Sequence, residues 1–351
     1  MSKRHILNII TLVLVALILF FAREELVKAW ELLWQVNLGI FMLVLPVQFI
    51  SYFASGAMLF SYLKQKGDLN GTSHLEATKM ALELNFVNHI LPSGGVSGAS
   101  YMTWRLNKLG VNSSRATLAQ VVRFAAAFAS FAVLLVIAVV FITIDGGVNR
   151  FIILVSSGIV GAIIVGAIVV GYAIGSSARM RKLAHVVYRA SNWVWRVILR
   201  QKKRELLARD FLEKFFEEMH DDYMALRRTP NVLVRPFVWG IVFNVSEVLL
   251  FWITFLSLGT FVNPAVILIA IGLAGIVGAL LVTPGGAGGY EGVMILFLTA
   301  TGVPGSVAVA GVLLARVVLI LLTIATGYVF YHQSLKKYGG KPRADSSSAI
   351  V

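Results

Sequence analysis

Long uncharged apolar runs dominate the pattern of hydrophobic and polar positions along the chain. A helix needs about 20 apolar residues to cross a bilayer, and residues 248–290 contain no Asp, Glu, Lys or Arg over 43 positions. That stretch must cross the membrane twice, or cross it and re-enter. The other uncharged runs occupy residues 6–22, 36–63, 124–144, 151–178, 236–246, 292–315 and 317–335. The pattern predicts an all-α, polytopic integral membrane protein.

The runs divide the chain into two membrane halves with a charged segment between them. The first half, 1–178, is predicted to hold four spans and one re-entrant region, near 6–22, 38–61, 120–144, 151–175 and 85–106. The second half, 232–335, is predicted to hold two spans and one re-entrant region, near 236–258, 305–332 and 264–301. A basic amphipathic cytoplasmic linker, 179–231, separates them, and residues 336–351 form a disordered cytoplasmic tail. The prediction is thus six spans and two re-entrant hairpins.

The charges flanking the runs orient the chain. No small-x-small cleavage site follows the first run, so we interpret it as a retained span rather than a signal peptide. With the N-terminus in the cytoplasm, the inside segments carry 26 basic and 11 acidic residues, whereas the outside segments carry 3 basic and 4 acidic residues. This asymmetry is the positive-inside pattern. It predicts a multi-pass protein of the cytoplasmic membrane with both termini in the cytoplasm.

Composition narrows the classes of function. Hydrophobic residues make up 58% of the 351 positions and charged residues 14%, against roughly a quarter charged in soluble domains. The net charge of +14 follows the positive-inside pattern, so no nucleic-acid partner is expected. The linker either binds anionic lipids of the inner leaflet or is a solvated connection. The absence of cysteine excludes disulfides, zinc–thiolate sites, iron–sulfur clusters and a cysteine nucleophile.

The segments that begin at Pro92 and Pro284 are an internal repeat with a constant offset of 192 residues. Eight of the 25 positions from 92 to 116 are identical in the two copies. Each copy has Pro-x-Gly, then Gly-Val, then an apolar segment with one arginine, Arg123 or Arg316. The predicted topology starts one copy from each side of the membrane, so the copies are expected to be inverted.

Short Gly/Pro-interrupted segments at matching positions of inverted halves indicate a transporter's central site. The candidate binding residues in and beside the two loops are Asn88, His89, Pro92, Gly94, Gly95, Pro284, Gly285, Gly286 and Tyr290. Glycine amides there could approach a phosphate closely. The alternative is helix packing through small residues. Arg105, beside Trp104, is expected either to snorkel or to contact a headgroup.

Four ionisable residues lie within or at the edge of the apolar segments. These residues are Arg123, Glu247, Glu291 and Arg316. Burying such a group at the bilayer centre costs about 2.5–3.5 kcal/mol, so embedded charges usually face a cavity or one another. In one hypothesis the arginines hold a lipid phosphate while the carboxylates meet a cationic headgroup or relay protons. In the other hypothesis the four charges form two structural salt bridges.

Motifs of catalysis are missing from the sequence. It contains no His-Glu-x-x-His helix, no nucleophile elbow, no complete dinucleotide fingerprint and no phosphate-binding loop that ends in Gly-Lys-Ser/Thr. We therefore expect a protein that is not an enzyme and that uses no metal or cofactor.

The stretches ELNFVNHILPSGGVSGASYMTWRL, TPGGAGGYEG, GVP and LLARVV resemble the lysylphosphatidylglycerol synthase transmembrane-region family, also called flippase-like domain proteins, over about residues 6–335. In fused members this region moves an aminoacylated phospholipid between leaflets, and a separate cytosolic domain makes that lipid. We expect no such domain here, so the resemblance implies translocation. The family often has Glu after the glycines of the motif; Glu291 matches, whereas the first copy has Ala99.

The expected function is therefore flippase-like translocation of an aminoacylated or other phospholipid. One alternative is carriage of a polyprenyl-phosphate-linked precursor in envelope glycan assembly, and others are an intramembrane transferase and a scaffold for a lipid synthase. The expected partners are the transported lipid and anionic inner-leaflet lipids. A separate synthase or glycosyltransferase and a second copy of the chain are further candidates.

Overall fold

The computed structural model describes residues 27, 30–32, 34–69, 71–91, 96–144, 150–198, 209–281, 283 and 286–338. The predicted span at 6–22 lies outside the described residues, as does 339–351 of the predicted tail. Residues 336–338, predicted to be disordered, instead continue the last helix because its hydrogen-bonded turns run on past the apolar run.

The described residues fold into α-helices, one 3₁₀ turn at Pro230–Leu233, and no strands. The α-helices are α1 Leu38–Phe41, α2 Val44–Gln65, α3 His74–Ile90, α4 Val96–Asn107, α5 Ser113–Ile144, α6 Arg150–Ile174, α7 Ser177–Ile198, α8 Arg209–Arg228, α9 Val234–Ser257, α10 Pro264–Leu280, α11 Gly289–Ala300 and α12 Gly305–Tyr338. The all-α prediction is confirmed.

Five stretches of the described residues are helical, long and apolar enough to cross a membrane. They are Leu38–Gln65, Ser113–Ile144, Arg150–Ile174, Pro230–Ser257 and Gly305–Tyr338. Each overlaps one predicted span. The protein is therefore a multi-pass membrane protein.

Between the long helices lie shorter ones with defined starts. Ser73 caps α3, because its Oγ accepts a hydrogen bond of 3.2 Å from the Glu76 amide. Asn263 caps α10 in the same way, at 2.9 Å from the Ala265 amide, and Pro264 occupies the first turn. Side-chain caps of this kind satisfy amides that have no partner inside the helix. At 17 residues, α3 and α10 fall short of the usual span length of about 20 residues.

The helices repeat at the same offset of 192 residues as the sequence motifs. Helices α2 to α5, which we call the first unit, contain 22, 17, 12 and 32 residues. Helices α9 to α12, the second unit, contain 24, 17, 12 and 34 residues in the same order. Three membrane-length helices, α2, α5 and α6, precede α9. When each of them crosses the membrane and each pair of short helices re-enters, α9 runs in the direction opposite to α2. The inverted orientation of the two units remains a prediction.

The two units exchange contacts in a reciprocal way. Helix α2 packs along α9 at the centre of the molecule, α3 of the first unit packs on α12, and α10 of the second unit packs on α5. The largest buried apolar cluster joins α5 and α6 to α9, α10, α11 and α12. Each unit thus supplies part of the other unit's core.

The predicted linker contains two helices that fold back onto the membrane half. Helix α8 packs on α7 and α5, and Leu212, Phe216 and Met219 are buried against them. The imidazole of His220 hydrogen-bonds to the Ile174 carbonyl at 2.7 Å. Arg115 of α5 pairs with Asp222 at 3.4 Å. The apolar face of α8 is therefore covered by protein, whereas the alternatives of lipid binding and solvation remain open for α7.

Close packing of α9 on α5 depends on Gly240. A methyl group at this position would lie 2.8 Å from the Ala126 carbonyl oxygen. We expect Gly240→Ala to lower the free energy of unfolding by about 1–3 kcal/mol, because the backbones would have to separate. Gly161 of α6 has open space around it, so Gly161→Ala should raise stability by up to about 1 kcal/mol. Thermal unfolding in detergent tests both, and equal shifts in the two variants would contradict the prediction.

Candidate functional site

The tips of the two Pro-Gly loops lie outside the described residues. This applies to Pro92, Gly94, Gly95, Pro284 and Gly285. The flanking residues are described, and the site is built from them.

Asn88 holds the two sides of the first loop together. Its Oδ1 accepts a hydrogen bond of 2.9 Å from the Gly98 amide, which joins the end of α3 to the start of α4. A side chain at Gly98 would overlap the Asn88 side chain. Asn88, predicted as a binding residue, is thus engaged in closing the hairpin.

In the second loop, the backbone itself lies close against the backbone of α10. Gly286 has a φ of +72°, a conformation that L side chains rarely adopt. A Cβ on Gly286 would lie 3.1 Å from the Gly278 Cα, so the loop rests directly on α10. The amide of Gly288, with φ of +86°, donates a hydrogen bond of 2.8 Å to Glu291 Oε2. Glu291 thereby caps α11 at the end of this loop.

Glu291 also forms an ion pair with Arg316. Arg316 Nε lies 2.7 Å from Glu291 Oε1, and both side chains are largely buried at 13% and 12% exposure. The guanidinium of Arg316 stacks over the Tyr290 ring, 4.3 Å from its centroid. Two of the four embedded charges are therefore paired. The hypothesis that these charges form structural salt bridges requires such a pair in the second half.

His89 and Glu247 lie within electrostatic range of this pair. The charges of Arg316 and Glu291 act on the imidazole of His89, and the charge of Arg316 acts on Glu247. His89 Nδ1 lies 2.8 Å from the Asn85 carbonyl oxygen. Because a carbonyl only accepts, Nδ1 carries the proton in this contact. Residues of both units thus meet around Arg316.

Helix α2 presents a buried polar face toward these charges. Gln48, Ser51, Tyr52 and Ser55 are between 2% and 6% exposed, and their spacing places them on one side of the helix. Ser51 Oγ donates to Glu247 Oε1 at 2.7 Å, and the hydroxyls of Tyr52 and Thr323 lie 2.5 Å apart. We call these four residues the α2 polar face. It is unusual in a helix long and apolar enough to span a membrane.

Arg123 of α5, also in the first unit, reaches the same face. Its Nη1 lies 3.5 Å from Ser55 Oγ and its Nε lies 3.2 Å from Gln120 Oε1. It stacks over Phe124 at 4.5 Å. No carboxylate of the described residues pairs with Arg123, so the hypothesis of two salt bridges is wrong for this half.

The repeat explains why the two arginines differ. At the offset of 192 residues, Ser55 matches Glu247 and Ala99 matches Glu291. In the second unit Glu291 therefore pairs with the arginine and Glu247 lies within its electrostatic range, whereas the first unit has a hydroxyl and a methyl group at the corresponding positions. The result is a neutralised arginine in the second unit and, beside Ser55 of the α2 polar face, an arginine without a carboxylate partner among the described residues.

A second buried charge network was not predicted from the sequence. Arg105 is 2% exposed; its Nη2 lies 2.6 Å from Glu76 Oε1 and its Nε 3.5 Å from Glu83 Oε2. Glu83 Oε1 accepts a hydrogen bond of 2.6 Å from Ser334, and Oε2 accepts one of 2.8 Å from Tyr101. The expectation that Arg105 snorkels or contacts a headgroup is wrong, because tertiary packing of α3 and α4 on α12 encloses it.

The network was missed because its charges were counted among those on the cytoplasmic side of the predicted spans, where charges are unremarkable. The available signal was the density of polar groups in α3 and α4, the two helices that flank the first Pro-Gly loop. Among the residues that the structure describes, no group of three His, Asp or Glu side chains is arranged to hold a metal.

Comparison with known proteins places the chain among membrane proteins of one family. The family described as "Lysylphosphatidylglycerol synthase TM region" matches residues 8–327. A UPF0104 membrane protein of Methanothermobacter thermautotrophicus is 27% identical over 141 residues, which are 40% of this chain and 41% of the relative. A second UPF0104 membrane protein, from Methanocaldococcus jannaschii, is 31% identical over 118 residues, 34% of each chain. The matched stretches thus span well under half of these relatives. No solved structure is significantly similar to the chain.

Proposed function

Because the chain belongs to the family of lysylphosphatidylglycerol synthase transmembrane regions, we propose that it moves a lipid with a phosphate-bearing headgroup between the two leaflets of the cytoplasmic membrane. The observation that carries this proposal is Arg123, a guanidinium in an apolar span with no carboxylate partner among the described residues. An embedded cation of this kind is costly unless it meets an anion. A lipid phosphate is the anion that a membrane supplies, and arginine binds it well.

In this proposal the lipid headgroup moves along the α2 polar face between Arg123 and Arg316. Ser51 contacts Glu247, although Ser55 is the residue that matches Glu247 in the repeat. We infer from this shift an approximate twofold relation between the units, with its axis near residue 53 of α2. Such a relation would place Arg123 and Arg316 on opposite sides of the axis. A headgroup on the polar face would remain near a cation in either half while its acyl chains stay in the lipid.

The carboxylates would select among phosphate lipids. Arg316 already interacts with Glu291 and Glu247, so a phosphate arriving there competes with both. A headgroup that also carries an amine relieves this competition, because its positive charge can pair with Glu247. An aminoacylated phospholipid has this combination of charges and is the preferred substrate of the proposal.

A polyprenyl phosphate is the second candidate substrate. The unneutralised charge of Arg123 favours it, since a phosphate monoester carries more negative charge than a phosphodiester. Both candidates involve translocation without bond breaking, and we propose no catalytic residue. The positive-inside pattern supports placement in the cytoplasmic membrane with both termini in the cytoplasm.

Leaflet exchange in proteoliposomes tests the proposal. The purified chain is reconstituted with fluorescent lysyl-phosphatidylglycerol, phosphatidylglycerol or a short polyprenyl phosphate, and protein-free vesicles are the control. Faster exchange of lysyl-phosphatidylglycerol alone supports the aminoacylated substrate, and faster exchange of the polyprenyl phosphate alone supports the second candidate. Exchange of none, in vesicles that contain folded protein, overturns translocation.

A further inference from the structure

A cavity of about 260 Å³ opens between α2, α3 and α9, away from the α2 polar face. Its wall includes Phe53, Phe60, Trp239 and His74, whose ring centroid lies 6.0 Å from that of Phe53, and its rim includes Lys64 and Arg235. None of these six residues belongs to the α2 polar face or touches the embedded charges.

The cavity is elongated along α2, with its cations at one end. Lys64 is in the last turn of α2, and Phe60 and Phe53 lie on the same side one and three turns deeper. Arg235 is in the first turn of α9, and Trp239 lies one turn deeper. The end of α2 is tied to the start of α9, because Gln65 Nε2 donates to the Val232 carbonyl at 3.1 Å. With α2 and α9 spanning the bilayer, the rim would lie toward the membrane surface and the aromatic wall toward the membrane interior.

The rim cations have no carboxylate partner among the described residues. Lys64 is partly exposed and Arg235 is exposed, and neither forms an ion pair within the described ranges of the chain. No carboxylate lines the cavity. Trp239 and Phe53 pack edge to face with ring centroids 5.2 Å apart, which fixes the aromatic wall.

We propose that this cavity binds one anionic phospholipid from the leaflet in which α2 ends, predicted to be the cytoplasmic one. The phosphate lies between Lys64 and Arg235, and one acyl chain lies against Phe53, Phe60 and Trp239. The cavity is smaller than the roughly 300–1,000 Å³ of most soluble-ligand sites, which suits part of a lipid whose remainder stays in the bilayer.

The bound lipid is distinct from the transported one. Where α2 and α3 meet, they are in backbone contact: a Cβ on Gly56 would lie 2.9 Å from the Ala77 carbonyl oxygen. This contact separates the cavity from the interior of the bundle. The lipid would instead join the ends of α2, α3 and α9, and so stabilise their packing.

Native mass spectrometry of the full chain in detergent tests the site. The probes are dioleoyl-phosphatidylglycerol, dioleoyl-phosphatidylcholine and inorganic phosphate. We expect tight 1:1 binding of phosphatidylglycerol only. The double variant K64Q/R235Q should weaken it by about tenfold or more, given the contribution of each basic residue near anionic lipid. The matched control is K66Q/R228Q, which removes the same charge from neighbouring positions that do not line the cavity.

Quenching of tryptophan fluorescence locates the acyl chain. Phosphatidylglycerol with brominated acyl chains should quench a saturable component that is missing in the Trp239→Phe variant. The proposal is overturned if K64Q/R235Q binds normally, if K66Q/R228Q loses as much affinity, or if phosphatidylcholine or phosphate competes equally. These measurements involve no leaflet exchange, so they can succeed or fail independently of the proposed function.

Discussion

Replacing Ser55 with glutamate is expected to slow lipid exchange by at least about tenfold while the protein stays folded. The new carboxylate would occupy the position that matches Glu247 and would neutralise Arg123, whose Nη1 lies 3.5 Å from Ser55 Oγ. A fixed carboxylate competes with the lipid phosphate, and a competition of about 1.4 kcal/mol is tenfold. Initial exchange rates in proteoliposomes, normalised to folded protein, measure the effect.

Two further variants separate charge from crowding at this buried position. Ser55→Gln has nearly the same volume and no charge, so it should retain more exchange than Ser55→Glu. Ala99→Glu places a carboxylate at the position that matches Glu291, where the native side chain is only half-buried, and should reduce exchange as Ser55→Glu does. Unchanged exchange in both glutamate variants would show that an unneutralised Arg123 is not required.

Replacing Arg105 with methionine is expected to lower the free energy of unfolding by about 3 kcal/mol or more. The change leaves Glu83, which is 2% exposed, without its positive partner. Removing one member of a buried ion pair costs about 3–5 kcal/mol, because an uncompensated charge remains. Denaturant titration in detergent micelles measures the change.

The double variant R105M/E83Q tests the physical reason. The glutamine removes the stranded charge and can still accept the hydrogen bond from Ser334, so part of the lost stability should return. Lys108→Met changes an exposed cation at the end of the same region and should alter stability by less than about 0.5 kcal/mol. A loss for R105M no larger than that of Lys108→Met would indicate that the network contributes little.

The two networks differ in what they join. The Arg105 network links α3 and α4 of the first unit to α12 of the second, and Ser334 and Tyr338 of α12 contact Glu83 and Arg105 directly. Arg316 lies 18 residues before Ser334 on α12, and the charges of its ion pair with Glu291 act on His89 of α3. Both cross the boundary between units.

Much of the fold follows from the sequence because a bilayer limits what an apolar run can do. Uncharged runs of span length must form helices, since no water is present to satisfy the backbone. Five of the six predicted spans accordingly overlap membrane-length helices. The repeat was detectable because Pro-x-Gly, Gly-Val and an arginine-bearing apolar segment recur in the same order at nearly one offset.

Pairing of the embedded charges did not follow from the sequence. Four residues of balanced sign suggested two ion pairs, but Glu291 pairs with Arg316 whereas Glu247 accepts from Ser51 and Arg123 contacts Ser55. Which partner each charge meets depends on how α2 lies against α9 and α5. Side chains on different helices come together only through that packing.

The sequence by itself determined that this is a polytopic helical membrane protein, that its two halves share one motif, and which charges lie within its apolar segments. Hydropathy, helical periodicity and the 192-residue spacing of the repeat depend only on the order of residues, so the sequence shows them directly. Only the tertiary structure decided that Arg105 is buried, that α2 carries a continuous polar face, and that one arginine is neutralised while its counterpart is not. Those features depend on distances between residues up to 271 positions apart, as in the contact of Tyr52 with Thr323, and such distances are set by helix packing.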